Sequence, residues 1–253
     1  RIAQVLTHGE RLGRRTHVEM GLVGDVRATL DALLPRLETR ADDSFLQDRL
    51  KAAKDDRDNM AYHAQKPGKK GEISPEYLTA AISRLADDDA IFTADTGMTT
   101  VWAARYLEST GKRRFMGSFS HGSMANAMPQ AIGAALAGNG RQSIALCGDG
   151  GISMLLGDLA TIGQYQLPVK MVVYNNSSLG MVEIEMQLAG IPNFQTEMTN
   201  PDFAAIAEAC GIRGVQVDDP EKLDAALEKA MNHEGPVLLD VKTDRYAVAM
   251  PPH

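Results

Sequence analysis

Two short polar motifs that follow apolar runs constrain the fold of this chain more than any other feature. The run Ile144–Cys147 leads into Gly148-Asp149-Gly150, and the run Val169–Tyr174 leads into Asn175-Asn176. Short apolar runs bounded by turn residues are typical of buried strands, and the 24 residues between the motifs leave room for a helix. Because the carboxyl ends of parallel strands meet at one edge of a sheet, we expect the acid and the amides to lie together where such sheets bind ligands.

The oxygen atoms of these motifs suit a divalent cation that carries a diphosphate. Asp149 and Asn176 offer side-chain oxygens, and the turn after them offers the backbone carbonyl of Ser178. Mg²⁺ prefers near-octahedral oxygen ligands and commonly completes its shell with phosphate oxygens and water. The alternative is a strand-end turn at Gly148-Asp149-Gly150 with no ligand, since such sequences are common in loops.

Glycines after the acid indicate where the diphosphate would approach the backbone. Gly150 and Gly151 have no side chain to obstruct a ligand. A helix is predicted from Ile152 to Gln164, and its first amides would face the diphosphate.

Regular alternation of strand-like and helix-like segments after residue 71 predicts an α/β fold with a doubly wound parallel sheet. We assign residues 72–253 to this main domain and residues 38–71 to a charged linker helix followed by a Pro- and Gly-containing break. Residues 1–37 are predicted to form two short strands and a helix from Asp25 to Leu37 with Asp25 as its N-cap, and these elements cannot bury a core of their own. They are interpreted as the end of a preceding Rossmann-like domain on the flavin side, or alternatively as an appendage of the main domain.

Composition narrows the classes of function. The net charge of −7 argues against a nucleic-acid partner, because phosphate backbones require concentrated Lys and Arg. No apolar run approaches the roughly 20 residues that span a membrane, and the first residues lack the pattern of a signal peptide. Cys147 and Cys210 have neither disulfide nor metal-ligand spacing, so both are predicted to be buried thiols of a protein in a reducing cytosol.

Further segments carry a resemblance to a known family. They are Ile91–Gly97, Val101–Tyr106, Gly117–Pro129, Cys147–Gly151 and Asn175–Gly180. Together with the spacing of the two polar motifs, they resemble thiamine-diphosphate enzymes, and among these the bacterial pyruvate:quinone oxidoreductases, which are flavin-containing pyruvate oxidases. The similarity extends over essentially the whole chain, including Gly13-Arg14-Arg15 and Gly24-Asp25-Val26 upstream.

The resemblance implies a set of cofactor-binding residues. It makes Asp149, Asn176 and the carbonyl of Ser178 the Mg²⁺ ligands. It makes Met124 the large apolar residue that holds thiamine diphosphate in a bent shape, with ordinary core packing at a helix start as the alternative. The other residues implied to contact this cofactor are Gly97, Met98, Gly122, Ser123, Gly150, Gly151, Leu179, Gly180 and Met181. The residues implied to lie at the edge of the flavin are His8, Arg11 and Gly13.

The implied activity is the oxidative decarboxylation of pyruvate to acetate and CO₂, with thiamine diphosphate, Mg²⁺ and FAD as cofactors and a quinone as acceptor. The resemblance implies a cytoplasmic homodimer or homotetramer, peripheral to the inner face of the cell membrane when complete. In the family, the glutamate that activates the cofactor lies in an amino-terminal domain, and an amphipathic tail follows the position of Pro251-Pro252-His253. The chain alone is therefore expected not to turn over substrate.

Two other functions are compatible with the same residues. One is a carboligase resembling acetolactate synthase, which uses the same cofactor. The other is a non-catalytic binding or assembly module that keeps the fold without the chemistry. Glu183 and Glu185, on the helix after the second motif, are interpreted as solvated residues, with acid–base roles as the alternative.

Overall fold

The computed structural model describes residues 1–39 and 41–248. The chain divides into two compact units, Arg1–Ala53 and Lys54–His253. Pro251-Pro252-His253, which the sequence places before a membrane-binding tail, lies outside the described residues. The assignment of residues 1–37 to a larger preceding domain stays a prediction.

The first unit contains two parallel strands and a short helix. Strand β1 (Ala3–Leu6) pairs with β2 (Met20–Val23), and helix α1 (Val26–Leu33) follows. As predicted, Asp25 caps this helix, and its carboxylate accepts a hydrogen bond from the backbone N–H of Ala28. The helix was predicted to reach Leu37, but α1 stops earlier and continues only as a 3₁₀ turn with Pro35 near its start, since proline removes a backbone donor.

Along the chain, a long helix and a small hairpin follow α1 and precede the main sheet. Helix α2 (Ser44–Ala64) is the predicted charged helix, and none of its residues is buried. An antiparallel pair that the sequence analysis missed begins in the predicted break with β3 (Gly68–Lys69) and ends just after it with β4 (Glu72–Ile73). Gly71 has φ +78° in its turn, a left-handed conformation that favours glycine.

Six parallel strands form the sheet that the alternating pattern predicts. They are β5 (Ile91–Ala94), β6 (Arg114–Gly117), β7 (Ser143–Gly148), β8 (Val169–Asn175), β9 (Arg213–Val217) and β10 (Val237–Lys242). Their order across the sheet is β6-β5-β7-β8-β10-β9, and all neighbours are parallel. The chain leaves β5 toward one edge and returns to the other side of it at β7, so the topological switch point lies between these two strands.

Helices cover both faces of this sheet, which confirms the doubly wound α/β fold. They are α3 (Pro75–Leu85), α4 (Met98–Tyr106), α5 (Ala127–Ala137), α6 (Asp149–Met154), α7 (Asp158–Tyr165), α8 (Gly180–Leu188), α9 (Phe203–Ala209) and α10 (Pro220–Met231). One core cluster joins α3, α4 and α10 to the sheet, and a second joins α5, α6, α7 and α9 to its other face. Successive strand residues alternate between the clusters, since side chains of a strand point to opposite faces.

The segment after β7 corrects the prediction of one helix from Ile152 to Gln164. Helix α6 begins three residues earlier, at Asp149, and ends where Leu155 leaves the helical conformation. Helix α7 starts separately, with Gly157 before it and Asp158 in its first turn. An acidic residue in the first turn favours a new helix start, a sequence signal that the continuous apolar pattern obscured.

Both cysteines are free thiols, as predicted: Cys147 is buried, and Cys210 is only partly so. Across the described part of the chain, no helix combines the length and the hydropathy needed to cross a membrane.

Candidate functional site

A cavity of about 270 Å³ opens at the carboxyl edge of the sheet, around the switch point. It is lined by the residues that follow β5, β7 and β8, where open α/β sheets bind ligands. Its volume lies just below the usual range of small-molecule sites, roughly 300–1,000 Å³. Of the residues predicted to contact thiamine diphosphate, all but Ser123 line it: Gly97, Met98, Gly122, Met124, Asp149, Gly150, Gly151, Asn176, Ser178, Leu179, Gly180 and Met181.

Asp149 is fixed at the end of β7 by three hydrogen bonds. Its Oδ1 accepts from the backbone N–H of Gly150 at 2.8 Å. Its Oδ2 accepts from the backbone N–H of Ser177 at 2.7 Å and from Nδ2 of Asn200 at 2.8 Å. The residue is 3% exposed. Burial raises the pKa of Asp149 above its ordinary value, and these hydrogen bonds oppose the rise by stabilising the carboxylate.

The two adjacent asparagines at the end of β8 have different surroundings. Asn175 is 2% exposed, and its Nδ2 donates to Oδ1 of Asp240 at 2.7 Å. Asn176 lines the cavity, and its Oδ1 accepts from the backbone N–H of Ser178 at 3.1 Å. Asn176, rather than Asn175, therefore has the position that a metal ligand in the cavity requires.

The turn that carries Ser178 is held by a glutamate that the sequence analysis assigned to solvent. The side chain of Glu183 is only 13% exposed. Its Oε2 accepts from Oγ of Ser178 at 2.7 Å, and its Oε1 accepts from Nδ2 of Asn193 at 2.6 Å. The prediction that Glu183 is solvated is therefore wrong, because the following loop folds back over α8. Glu185 is exposed and lines the cavity.

Met124 lies against the glycine turn of α6 and not in either core cluster. A Cβ added to Gly150 would stand 2.8 Å from Cδ2 of Leu179 and 3.1 Å from Cε of Met124. The close approach explains why this position holds glycine. Ser123 precedes Met124 outside the cavity lining, and its carbonyl accepts from Nδ2 of Asn126 at 2.7 Å.

Asp95 is a cavity residue that the sequence analysis did not single out. It is 2% exposed at the end of β5, where its Oδ1 accepts from Ala127 N at 2.8 Å and its Oδ2 from Gly148 N at 3.0 Å. Burial raises the pKa of Asp95 to about 6, although both hydrogen bonds oppose the rise. The signal was present, since Asp95 follows an apolar strand as Asp149 does.

Asn200 is the second residue that was missed. It lies in the loop between α8 and α9, and its Nδ2 donates to both Asp149 Oδ2 and Asn175 Oδ1. No periodicity or motif in the sequence marks this position, because its partners come from two strand ends distant in sequence.

The residues predicted at the flavin edge lie in the first unit, on the loop between β1 and β2. Arg11 ends a 3₁₀ turn, and His8 precedes it with Nδ1 3.4 Å from Oε1 of Glu10. Gly13 has φ +72°, and its N–H donates to Oε1 of Gln4 at 2.9 Å. Their contact with a flavin stays a prediction.

The donor set fits a magnesium diphosphate better than a metal held by protein alone. Within residues 1–39 and 41–248, no group of three or more His, Cys, Asp or Glu side chains is placed to hold a metal. Asp149 and Asn176 supply two hard oxygens, so a cation there would need further oxygens from a ligand. Helix α8 begins at the cavity with Gly180, and its N-cap residue, Leu179, makes no side-chain hydrogen bond to the first amides. Such an uncapped helix start suits an anion.

Residues 95–241 match the family described as thiamine pyrophosphate enzyme, C-terminal TPP binding domain. The match covers more than half of the 253 residues, and the chain therefore belongs to this family. Asp149, Asn176 and Ser178 all lie inside the matched segment, as do the newly found Asp95 and Asn200.

Several curated proteins are similar over most of this chain. The putative thiamine pyrophosphate-containing protein YdaP of Bacillus subtilis is 35% identical over 233 residues, which is 91% of this chain and 40% of the relative. The acetolactate synthase isozyme 2 large subunit of Escherichia coli is 33% identical over 233 residues, which is again 91% of this chain and 40% of the relative. The acetolactate synthase catalytic subunit of Aspergillus candidus is 34% identical over 236 residues, 91% of this chain and 34% of the relative. The chain thus spans about two fifths or less of the length of these relatives.

Proposed function

We propose that this chain binds the diphosphate of thiamine diphosphate through Mg²⁺. The ligands are the carboxylate of Asp149, the side-chain oxygen of Asn176 and the carbonyl of Ser178. The observation that carries the proposal is the position of Asp149 and Asn176 on the same cavity, at neighbouring strand ends and beside the uncapped start of α8. Family membership supports the identity of the cofactor.

The residues around the cavity have separate parts in this proposal. Asp149 provides the negative charge that offsets the cation, and its three hydrogen bonds fix its orientation. Gly150 allows Met124 and Leu179 to approach the backbone, and these two side chains give the cavity an apolar surface beside Asp149. When bound, thiamine diphosphate would supply a nucleophilic ring carbon that adds to a keto group and a cationic ring that accepts the electron pair left behind when CO₂ departs.

For the reaction of the whole protein, we favour a carboligase that resembles acetolactate synthase and acts on pyruvate. The relatives from Escherichia coli and Aspergillus candidus carry that name. A second candidate is an FAD-containing pyruvate oxidase that transfers electrons to a quinone. The run Gly117–Pro129, in which Gly122 and Met124 line the cavity, favours it by resemblance. Both reactions begin with decarboxylation of pyruvate, and for both we propose a homodimeric or homotetrameric protein.

Binding is tested by titrating thiamine diphosphate into the chain with excess Mg²⁺ and again with EDTA. The single tryptophan, Trp102, lines the cavity and provides a fluorescence signal beside calorimetry. We expect saturable binding only with Mg²⁺, and its loss in Asp149→Ala but not in Asp88→Ala, an exposed aspartate outside the cavity. Absence of binding in the unmodified chain would favour a non-catalytic module.

The reaction is tested on the protein that carries this chain, supplied with thiamine diphosphate, Mg²⁺, FAD and pyruvate. Formation of acetolactate without added acceptor supports the carboligase. Formation of acetate coupled to quinone reduction supports the oxidase. Consumption of pyruvate in neither way contradicts both assignments.

A further inference from the structure

A line of hydrogen-bonded side chains runs from the cavity into the sheet, beginning at Asn200. The Nδ2 of Asn200 donates to Asp149 Oδ2 at 2.8 Å and to Asn175 Oδ1 at 2.9 Å. Asn175 in turn donates from Nδ2 to Asp240 Oδ1 at 2.7 Å. The side chain of Asp240 is fully buried, and its Oδ2 lies 3.3 Å from Nζ of Lys242. The line connects the ends of β7, β8 and β10.

The direction of every hydrogen bond in this line is determined by its charged end. Asp240, paired with Lys242, accepts hydrogen bonds, so the NH₂ group of Asn175 must face it. The oxygen of Asn175 then faces away and requires a donor, which is the NH₂ group of Asn200. Asn200 is thereby oriented with its donor, and not its oxygen, toward Asp149.

Asn200 also carries a structural cost. Among the described residues its Oδ1 has no hydrogen-bond partner, although the atom is buried. A buried acceptor without a partner destabilises a fold, and residues that violate such rules are expected at functional sites. The donor of Asn200 is therefore the part of the residue that the fold uses.

The consequence for Asp149 is that its two oxygens are not equivalent. Oδ2 already accepts two hydrogen bonds, from Ser177 and Asn200, whereas Oδ1 accepts one, from Gly150. Two donors on Oδ2 fix the plane of the carboxylate and leave more acceptor capacity at Oδ1. A ligand oriented in advance loses less conformational freedom when it binds a cation.

We propose that Asn200 is a positioning residue for the cation: held by Asn175 and Asp240, it occupies Oδ2 of Asp149 and presents Oδ1 to Mg²⁺. This inference rests on the proposed function of Asp149. It differs from a purely structural role because it concerns the affinity for Mg²⁺ and not the ability to form the cavity.

The test is a Mg²⁺ titration of the chain at fixed thiamine diphosphate, followed by Trp102 fluorescence. We expect Asn200→Ala to raise the Mg²⁺ concentration at half-saturation by about tenfold, the lower range for loss of a residue that supports a metal ligand. Full thiamine-diphosphate binding should return at saturating Mg²⁺. Asn232→Ala, an exposed asparagine after α10, is the matched control and should leave the midpoint unchanged.

Asn200→Ser keeps a hydroxyl donor and should recover part of the affinity, which also provides the test if Asn200→Ala does not fold. An unchanged Mg²⁺ midpoint in a folded variant overturns the proposal. Loss of binding that saturating Mg²⁺ does not restore also overturns it, because that result indicates a structural role. Failure of the proposed function itself is separate, since the unmodified chain would then show no Mg²⁺-dependent binding.

Discussion

At the scale of single residues, the two adjacent asparagines at the end of β8 have different roles because only the first of them lies within the strand. Asn175 is the last residue of β8 and turns into the sheet, while Asn176 turns into the cavity. Asn175 still belongs to the strand, whose two faces are both covered by helices, whereas Asn176 lies just beyond it at the carboxyl edge where the cavity opens. The interior one is satisfied by Asp240, which explains how a buried strand end accommodates two amides.

Gly151 is predicted to tolerate no side chain. An added Cβ would lie 2.1 Å from Oδ2 of Asp95, a buried atom that cannot move aside easily. We expect Gly151→Ala to destabilise the protein by about 1–3 kcal/mol or more, as overpacked cores are destabilised. Chemical denaturation measures the difference.

The matched control for Gly151 is Gly133, an exposed glycine inside α5 with nothing within 4 Å of an added Cβ. Gly133→Ala should stabilise the protein by roughly 0.5–1 kcal/mol, because alanine has the higher helix propensity. Equal effects of the two substitutions would contradict the packing described around Asp95.

Asp95 is predicted to titrate near pH 6. Burial raises its pKa from the ordinary 3.8 to about 6. Between these values the unfolded chain has released the proton and the folded chain retains it. The contribution of Asp95 to the free energy of unfolding therefore falls as pH rises through this window, by about 3 kcal/mol in all.

Carbon NMR of the aspartate carboxyl groups checks this pKa, with Asp95→Asn to assign the signal. A titration midpoint below pH 4 would mean that the hydrogen bonds from Ala127 and Gly148 outweigh burial.

At the scale of elements, α2 and α3 should differ strongly in amide hydrogen exchange. Helix α2 has no buried residue over Ser44–Ala64, whereas α3 buries six, including Leu78 and Ile82. Local opening requires less free energy where few apolar contacts must separate. We therefore expect the amides of α2 to exchange faster by orders of magnitude. Similar protection in both helices would contradict this prediction.

Elements with a single strong period were predictable from the sequence, and their connections were not. Strand β8 is indicated by its continuous apolar run. Helix α3 is indicated by Ser74 and Pro75, which are residue types typical of a helix start. The division between α6 and α7 was missed, because the apolar pattern continues across Gly157 while the backbone does not.

The site was predictable to a similar degree. Asp149 and Asn176 each follow a predicted strand. Because neighbouring parallel strands end at the same edge of the sheet, the two residues were expected to line one cavity. The contacts of Asn200 and the partial burial of Glu183 depend on how the loop after α8 folds back, and that loop has no hydrophobic periodicity that would reveal its path.

At the scale of the whole molecule, the position of the cavity is determined by the topological switch point between β5 and β7. Every residue that lines the cavity belongs to the second unit, from Pro75 to Ala247. The same unit has core clusters on both faces of its sheet. Its fold and its cavity therefore depend on contacts within Lys54–His253.

We predict that a chain restricted to residues 54–253 folds and binds thiamine diphosphate with Mg²⁺ within about threefold of the affinity of the whole chain, which corresponds to less than about 1 kcal/mol. The reason is that the proposed Mg²⁺ ligands, the apolar residue Met124 and the proposed positioning residue Asn200 are all retained, together with both core clusters. Calorimetry of the two proteins side by side measures the ratio, and circular dichroism verifies the fold. As a control, Asp149→Ala in the truncated chain should abolish its binding of thiamine diphosphate. A truncated protein that is folded but binds the cofactor more than tenfold more weakly would show that residues 1–53 contribute to the site.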